Sequence, residues 1–129
     1  MAGEFSVDYV RLPNGRIPAR EFIDSLDEDA AAKVDAFIDR LRLYGIRMHG
    51  KFVRKLTENI MELRVKHFDR IFRVLYFYQP GLLIVITSGF QKKKDETPRA
   101  EIARAEELRA LWLKFHNHYP ESPRGQARD

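Results

Sequence analysis

Between Met61 and Thr87 three consecutive segments follow the period of extended chain, and two short turns divide them. Met61, Leu63 and Val65 alternate with Glu62, Arg64 and Lys66. After Phe68-Asp69 comes Ile71-Phe72-Arg73-Val74-Leu75-Tyr76-Phe77-Tyr78, and after Pro80-Gly81 comes Leu82-Leu83-Ile84-Val85-Ile86-Thr87. Alternation marks a strand with one buried face, and a short continuous apolar run marks a strand buried on both. Strands joined by turns this short pair as hairpins, so the segment predicts an antiparallel meander.

The flanks read as one more strand and three helices. Phe5, Val7 and Tyr9 alternate with Ser6 and Asp8, and Leu12-Pro13-Asn14-Gly15 is a turn. Pro18 suits the first turn of a short helix with Phe22, Ile23 and Leu26 on its apolar side. Asp27 marks the break before a second helix, whose stripe is Ala30, Ala31, Val34, Phe37, Ile38 and Leu41 and whose stop is Gly45. Near the other end Thr97, Pro98 and Glu101 spell a capping box ahead of a helix carrying Ile102, Ala105, Leu108 and Leu111 or Trp112. The order is β-α-α-β-β-β-α. It predicts one α+β domain over residues 1–116, with helices on one face of a mostly antiparallel sheet, and a flexible tail over 117–129.

With 129 residues, 44% of them hydrophobic, the chain has room for one modest core. It has no cysteine, which excludes disulfides, thiolate zinc sites and cysteine nucleophiles. No basic stretch leads into an apolar one at the N-terminus, and the longest apolar run is too short for a bilayer, so the expected location is cytoplasmic, with no membrane partner. Charge is unevenly placed. Residues 51–94 hold 10 Lys/Arg against 3 Asp/Glu, whereas residues 1–50 hold 7 against 9 and residues 95–129 hold 6 against 7. A basic block suits either a polyanion such as nucleic acid or a solvated sheet face.

No phosphate-binding glycine loop, zinc-protease motif or paired carboxylates occur, and Ser25 and Ser88 have no evident base. His116-x-His118 has a metal-like spacing but falls where the last helix gives way to the tail; it reads as a solvated pair, and no metal or cofactor is expected. What remains is a set of cations: Arg64 and Lys66 on one strand, Arg73 on the next, Lys51, Arg54 and Lys55 before them, Lys92, Lys93 and Lys94 after. Sheet pairing can gather Arg64, Arg73 and a lysine on one surface. Fixed cations there can stabilise the extra charge that develops when a ribose 2′-oxygen attacks the adjacent phosphate. Each also has a plainer reading. Arg73 can pair with Glu62 or Asp69, His67 can sit exposed at a turn, and Tyr76 and Tyr78 share a face with Val74 and suit core packing.

The ordered set Lys55-Leu56, Met61-Glu62-Leu63-Arg64, Arg70-Ile71-Phe72-Arg73-Val74-Leu75-Tyr76, Ser88-Gly89-Phe90-Gln91-Lys92-Lys93-Lys94, Thr97-Pro98, Glu101-Ile102 and Ala105 resembles the RelE/HigB toxin superfamily, closest to its phage-derived Gp49-like branch. The resemblance implies a RelE-like fold and a metal-independent endoribonuclease that cuts translated mRNA at the ribosome. It implies neutralisation by a HigA-like helix-turn-helix antitoxin, with operator DNA bound only through the complex. By position it assigns catalysis to Arg64, Arg73, Lys92, Lys93 and Lys55, and RNA binding to Lys51, Arg54, Lys66, Arg70 and Lys94. The chain departs from the pattern in lacking the last-helix tyrosine and the acidic-aromatic-histidine ending of some members. The general base is therefore unassigned. A gyrase inhibitor of the ParE kind and a non-catalytic phage regulator that binds nucleic acid are the alternatives.

Overall fold

A computed structural model describes residues 4–93 and 96–116. The expected tail, together with Lys94 and His118, lies outside them. The described residues form a mixed five-stranded sheet with three α-helices.

The meander is present: β3 (Met61–His67), β4 (Arg70–Gln79) and β5 (Leu83–Gln91) pair antiparallel in sequence order. Two further strands complete the sheet. The first strand, β1 (Ser6–Tyr9), pairs in parallel with β5, and a short β2 (Val53–Lys55) pairs antiparallel with β3, so the spatial order is β1-β5-β4-β3-β2. The expected order lacked β2. Three residues with one apolar side chain have no period to read, and pairing to an existing edge is what extends them.

Two helices, α1 (Pro18–Asp24) and α2 (Glu28–Tyr44), form the expected hairpin. Pro18 opens α1, where its missing N–H costs nothing. The Asp27 carboxylate caps α2 by accepting from the Ala30 backbone N–H at 3.3 Å. Gly45 ends it with φ 51°, and a Cβ there would lie 2.0 Å from the Phe5 ring, so both conformation and space require glycine. Ile23, Val34 and Leu41 from the hairpin pack on Leu63, Phe72, Val74, Tyr76 and Ile86. Tyr76 and Tyr78 belong to this packing, and burial pushes both phenols up in pKa.

The last helix, α3 (Arg99–His116), covers the opposite face, where Ala105, Leu108 and Trp112 meet Leu75, Phe77 and Val85. Helices therefore lie on both faces, not one. The cause is β4 itself: Val74 and Tyr76 point to one side, Leu75 and Phe77 to the other, and each apolar face needs cover. The indole N–H of Trp112 donates to Asp8 on β1 at 2.8 Å and ties α3 to the sheet edge.

A bulge adjusts the phase of β5. Leu75 lies opposite Ser88 and Tyr76 opposite Ile86, so Thr87 is the extra residue, and its hydroxyl donates to the Leu75 carbonyl at 3.0 Å. Beyond it Gly89 sits beneath Phe22 on the hairpin side, and Phe90 is opposite Arg73 on the α3 side.

Candidate nucleic-acid interface

The sheet face that α3 covers is apolar only along part of its length. Toward the β3–β4 turn the same face changes character. Register places Arg64 directly opposite Arg73, Glu62 opposite Leu75, and Arg54 of β2 opposite Glu62. Arg54, Glu62, Arg64 and Arg73 thus share one face, because successive side chains on a strand alternate sides.

Two arginines face to face repel unless something offsets them. Glu62 supplies the offset. It is 1% exposed, and its carboxylate accepts from Arg73 and from the Thr97 hydroxyl, with the Arg54 guanidinium 3.4 Å away. Arg54 also donates to the Thr97 hydroxyl at 3.2 Å. Of the Arg73 guanidinium, one end is held by Glu62 while Nε is buried with no hydrogen-bond partner among the described residues. Arg64 is half-buried and has no ion pair or hydrogen bond from its side chain to any described residue. Its backbone N–H donates to the Phe52 carbonyl at 2.7 Å, which extends the β2–β3 pairing to the residue before β2. A pocket of about 170 Å³ results, lined by Lys51, Arg54, Arg64 and Arg73 with Glu62 the lone carboxylate. Its surplus of fixed positive charge suits a phosphate group, to which arginine offers paired N–H donors.

The other expected residues divide. Lys66 lies two positions along from Arg64 on the same face and is exposed. Lys92 follows β5, its backbone N–H donating to the Ile71 carbonyl at 2.7 Å. Lys93 is exposed and borders a second cavity with Phe90 and Thr97. Lys55 does not join the cluster: it is opposite Met61, so it points away from Arg54, and it pairs with Glu58 at 3.6 Å. Arg70 is also on the far side. It stacks over the Phe72 ring and donates to Asp27 at 2.7 Å, holding that carboxyl down to about 2. His67 lies against the Phe68 ring at the turn. His116 stacks on Trp112 with ring centroids 3.8 Å apart.

Sequence reasoning missed the hub. Glu62 was recognisable as a partner for Arg73, but its bonds to Thr97 and Arg54 cross 35 residues of chain in one case and an unrecognised strand in the other. The expected capping box is also absent. Thr97 donates to Glu62, α3 begins at Arg99, and the residue at its cap is Pro98, which has no N–H for Glu101 to reach. Among the described residues no group of three or more His, Asp or Glu side chains is placed to hold a metal ion.

Fold and site together define a small α+β domain that gathers arginines around a buried carboxylate on the part of the sheet beyond the α3 core. Residues 21–110 match the family described as phage derived protein Gp49-like (DUF891), and the chain belongs to that family, a family of RelE/HigB-like toxins. Its setting is therefore that of the toxin of a toxin–antitoxin pair, with an antitoxin as partner. Comparison with curated proteins finds no match. No helix among the described residues is long and apolar enough to cross a membrane.

Proposed function

We propose that the protein is a metal-independent endoribonuclease that cuts translated mRNA at the ribosome and is silenced by a helix-turn-helix antitoxin. The observation that carries this reading is the Arg64–Arg73 pair: one guanidinium without a partner among the described residues, the other locked beside it by a buried carboxylate. The ribose 2′-oxygen attacks the adjacent phosphorus as its proton departs. The bond to the 5′-oxygen breaks, and that oxygen takes up a proton. The products are a 2′,3′-cyclic phosphate and a 5′-hydroxyl. Arg64 and Arg73 bind the non-bridging oxygens, whose charge grows in the transition state. Lys51, Arg54 and Lys66 hold flanking phosphates. Glu62 positions Arg73. Its oxygens are engaged by Arg73, Arg54 and Thr97, so it does not take the 2′-proton.

The test is inducible expression in a bacterial host, wild type beside Arg64→Ala, with growth and new mRNA 5′ ends read together. Removing one fixed donor from such a site lowers cleavage by about 10²- to 10³-fold. The Arg64 side chain holds no ion pair or hydrogen bond among the described residues, so the variant should fold with nearly unchanged stability. Arrest with new ends inside translated messages, both abolished in the variant, is the expected result. Arrest without new ends would move the reading to a gyrase inhibitor. A variant that loses RNA affinity in proportion to cleavage would make the protein a binding module.

A further inference from the structure

We propose that the cavity at the head of α3 is a nucleobase pocket that selects guanine next to the scissile phosphate. The proposal rests on the nuclease reading above. The cavity has a volume of about 480 Å³ and is bordered by Phe90, Lys93, Thr97, Pro98, Arg99 and Glu101. Sites for small organic ligands span roughly 300–1,000 Å³. It adjoins the arginine pocket through shared neighbours: Phe90 is the cross-strand partner of Arg73, and Thr97 bonds both Arg54 and Glu62. A nucleotide whose phosphate lies on Arg64 and Arg73 therefore has a base within reach of this cavity.

The walls suit a base. Phe90 is half-buried and offers an aromatic surface for stacking, with Pro98 as further apolar lining. Glu101 supplies the selectivity. Its Oε1 is buried and accepts no hydrogen bond from any described residue. The usual partner of a glutamate three residues into a helix is the cap N–H, and Pro98 has none. A buried acceptor left open is costly, and a donor on the ligand relieves it. A carboxylate accepts only, through two adjacent oxygens. Guanine alone among the RNA bases presents two neighbouring donors on one edge, its ring N1–H and its 2-amino group. Adenine, cytosine and uracil each place an acceptor beside their donor, against the carboxylate.

Two measurements test this. In the first, cut sites in cellular mRNA are mapped for wild type, Glu101→Gln and Glu101→Ala, with base frequencies tallied on each side of the cut. A two-bond contact of this kind discriminates by about tenfold or more. Wild type should show that enrichment for guanine at one flanking position. Both variants should lose it, with cutting next to guanine falling about tenfold relative to cutting next to the other bases. Wild-type cutting without guanine enrichment, or enrichment that persists in the variants, overturns the proposal. A carboxylate serving only the α3 dipole would alter melting and leave the base profile unchanged. In the second, purified full-length protein is titrated with guanosine, inosine and adenosine 5′-monophosphates by NMR. Guanosine monophosphate should bind about tenfold more tightly than the other two to wild type and equally with them to Glu101→Gln; equal binding to wild type overturns the proposal. If wild type cuts no message, the nuclease reading fails by itself and this titration alone decides the pocket.

Discussion

Replacing Glu62 with alanine should be the most damaging single change on the basic face, although the residue lies among cations and not in either apolar cluster. Glu62 is 1% exposed and Arg73 is 5% exposed. Without the carboxylate the Arg73 guanidinium stays buried, its Nε already lacking a partner among the described residues. Breaking one side of a buried ion pair costs about 3–5 kcal/mol. At a urea dependence of about 2 kcal/mol per molar, the unfolding midpoint should fall by about 2 M. The paired replacement Glu62→Leu with Arg73→Met should behave differently. It removes both charges together and fills similar volume, and such exchanges are often neutral or stabilising. Urea unfolding of wild type, both single variants and the double variant closes the cycle. A Glu62→Ala midpoint within about 0.5 M of wild type would refute the reasoning, because the carboxylate would then not be compensating a buried charge. A double variant as unstable as the sum of the singles would refute it equally.

Two further outcomes follow from the same geometry. Gly89→Val should cost about 1–3 kcal/mol, because a Cβ there comes within 2.5 Å of the Phe22 ring that packs α1 on the sheet; an unchanged melting temperature would contradict this. The Arg70 guanidinium holds the Asp27 carboxyl at about 2, helped by the Ala30 N–H. In the unfolded chain it sits at about 3.9, so its contribution to stability is present above about pH 4 and lost as pH falls toward 2. Arg70→Ala should move the Asp27 pKa up toward the ordinary range in a carboxyl ¹³C titration; an unmoved value would show that Arg70 is not the cause.

Local features were legible in the sequence wherever one element sufficed to state them. Alternation at Met61, Leu63 and Val65 identifies β3 and puts Glu62 and Arg64 on its other face. Pro18, Asp27 and Gly45 mark helix ends because each solves a local backbone problem. Features that depend on distant pairing were not legible. The partner of Arg70 is Asp27, 43 residues earlier, and only the docking of α2 beside the β3–β4 turn joins them. Lys55 and Arg54 read alike as neighbours in a basic run, yet once β2 pairs with β3 they face opposite ways. Thr97 reads as a helix cap, but a buried carboxylate holds its hydroxyl instead. That competition is settled by tertiary packing, which a linear pattern does not contain.

The division of one sheet face explains why a buried charge is retained at all. Leu75, Phe77 and Val85 are covered by Ala105, Leu108 and Trp112, whereas one step along β4 from Leu75 on that face stands Arg73. An apolar residue at Arg73 would extend the α3 core and remove the need for Glu62. A sequence that breaks the burial rule in this way generally does so at a functional site. Here the exception lies directly opposite Arg64, which has no partner among the described residues, and beside a pocket with one carboxylate among four cations. The double replacement Glu62→Leu with Arg73→Met therefore separates stability from function. It should fold at least as well as either single variant and cut no message, since the pocket loses Arg73 while Arg64 remains. A double variant that folds and still cuts would mean that Arg73 serves the fold alone and that Arg64 acts without it.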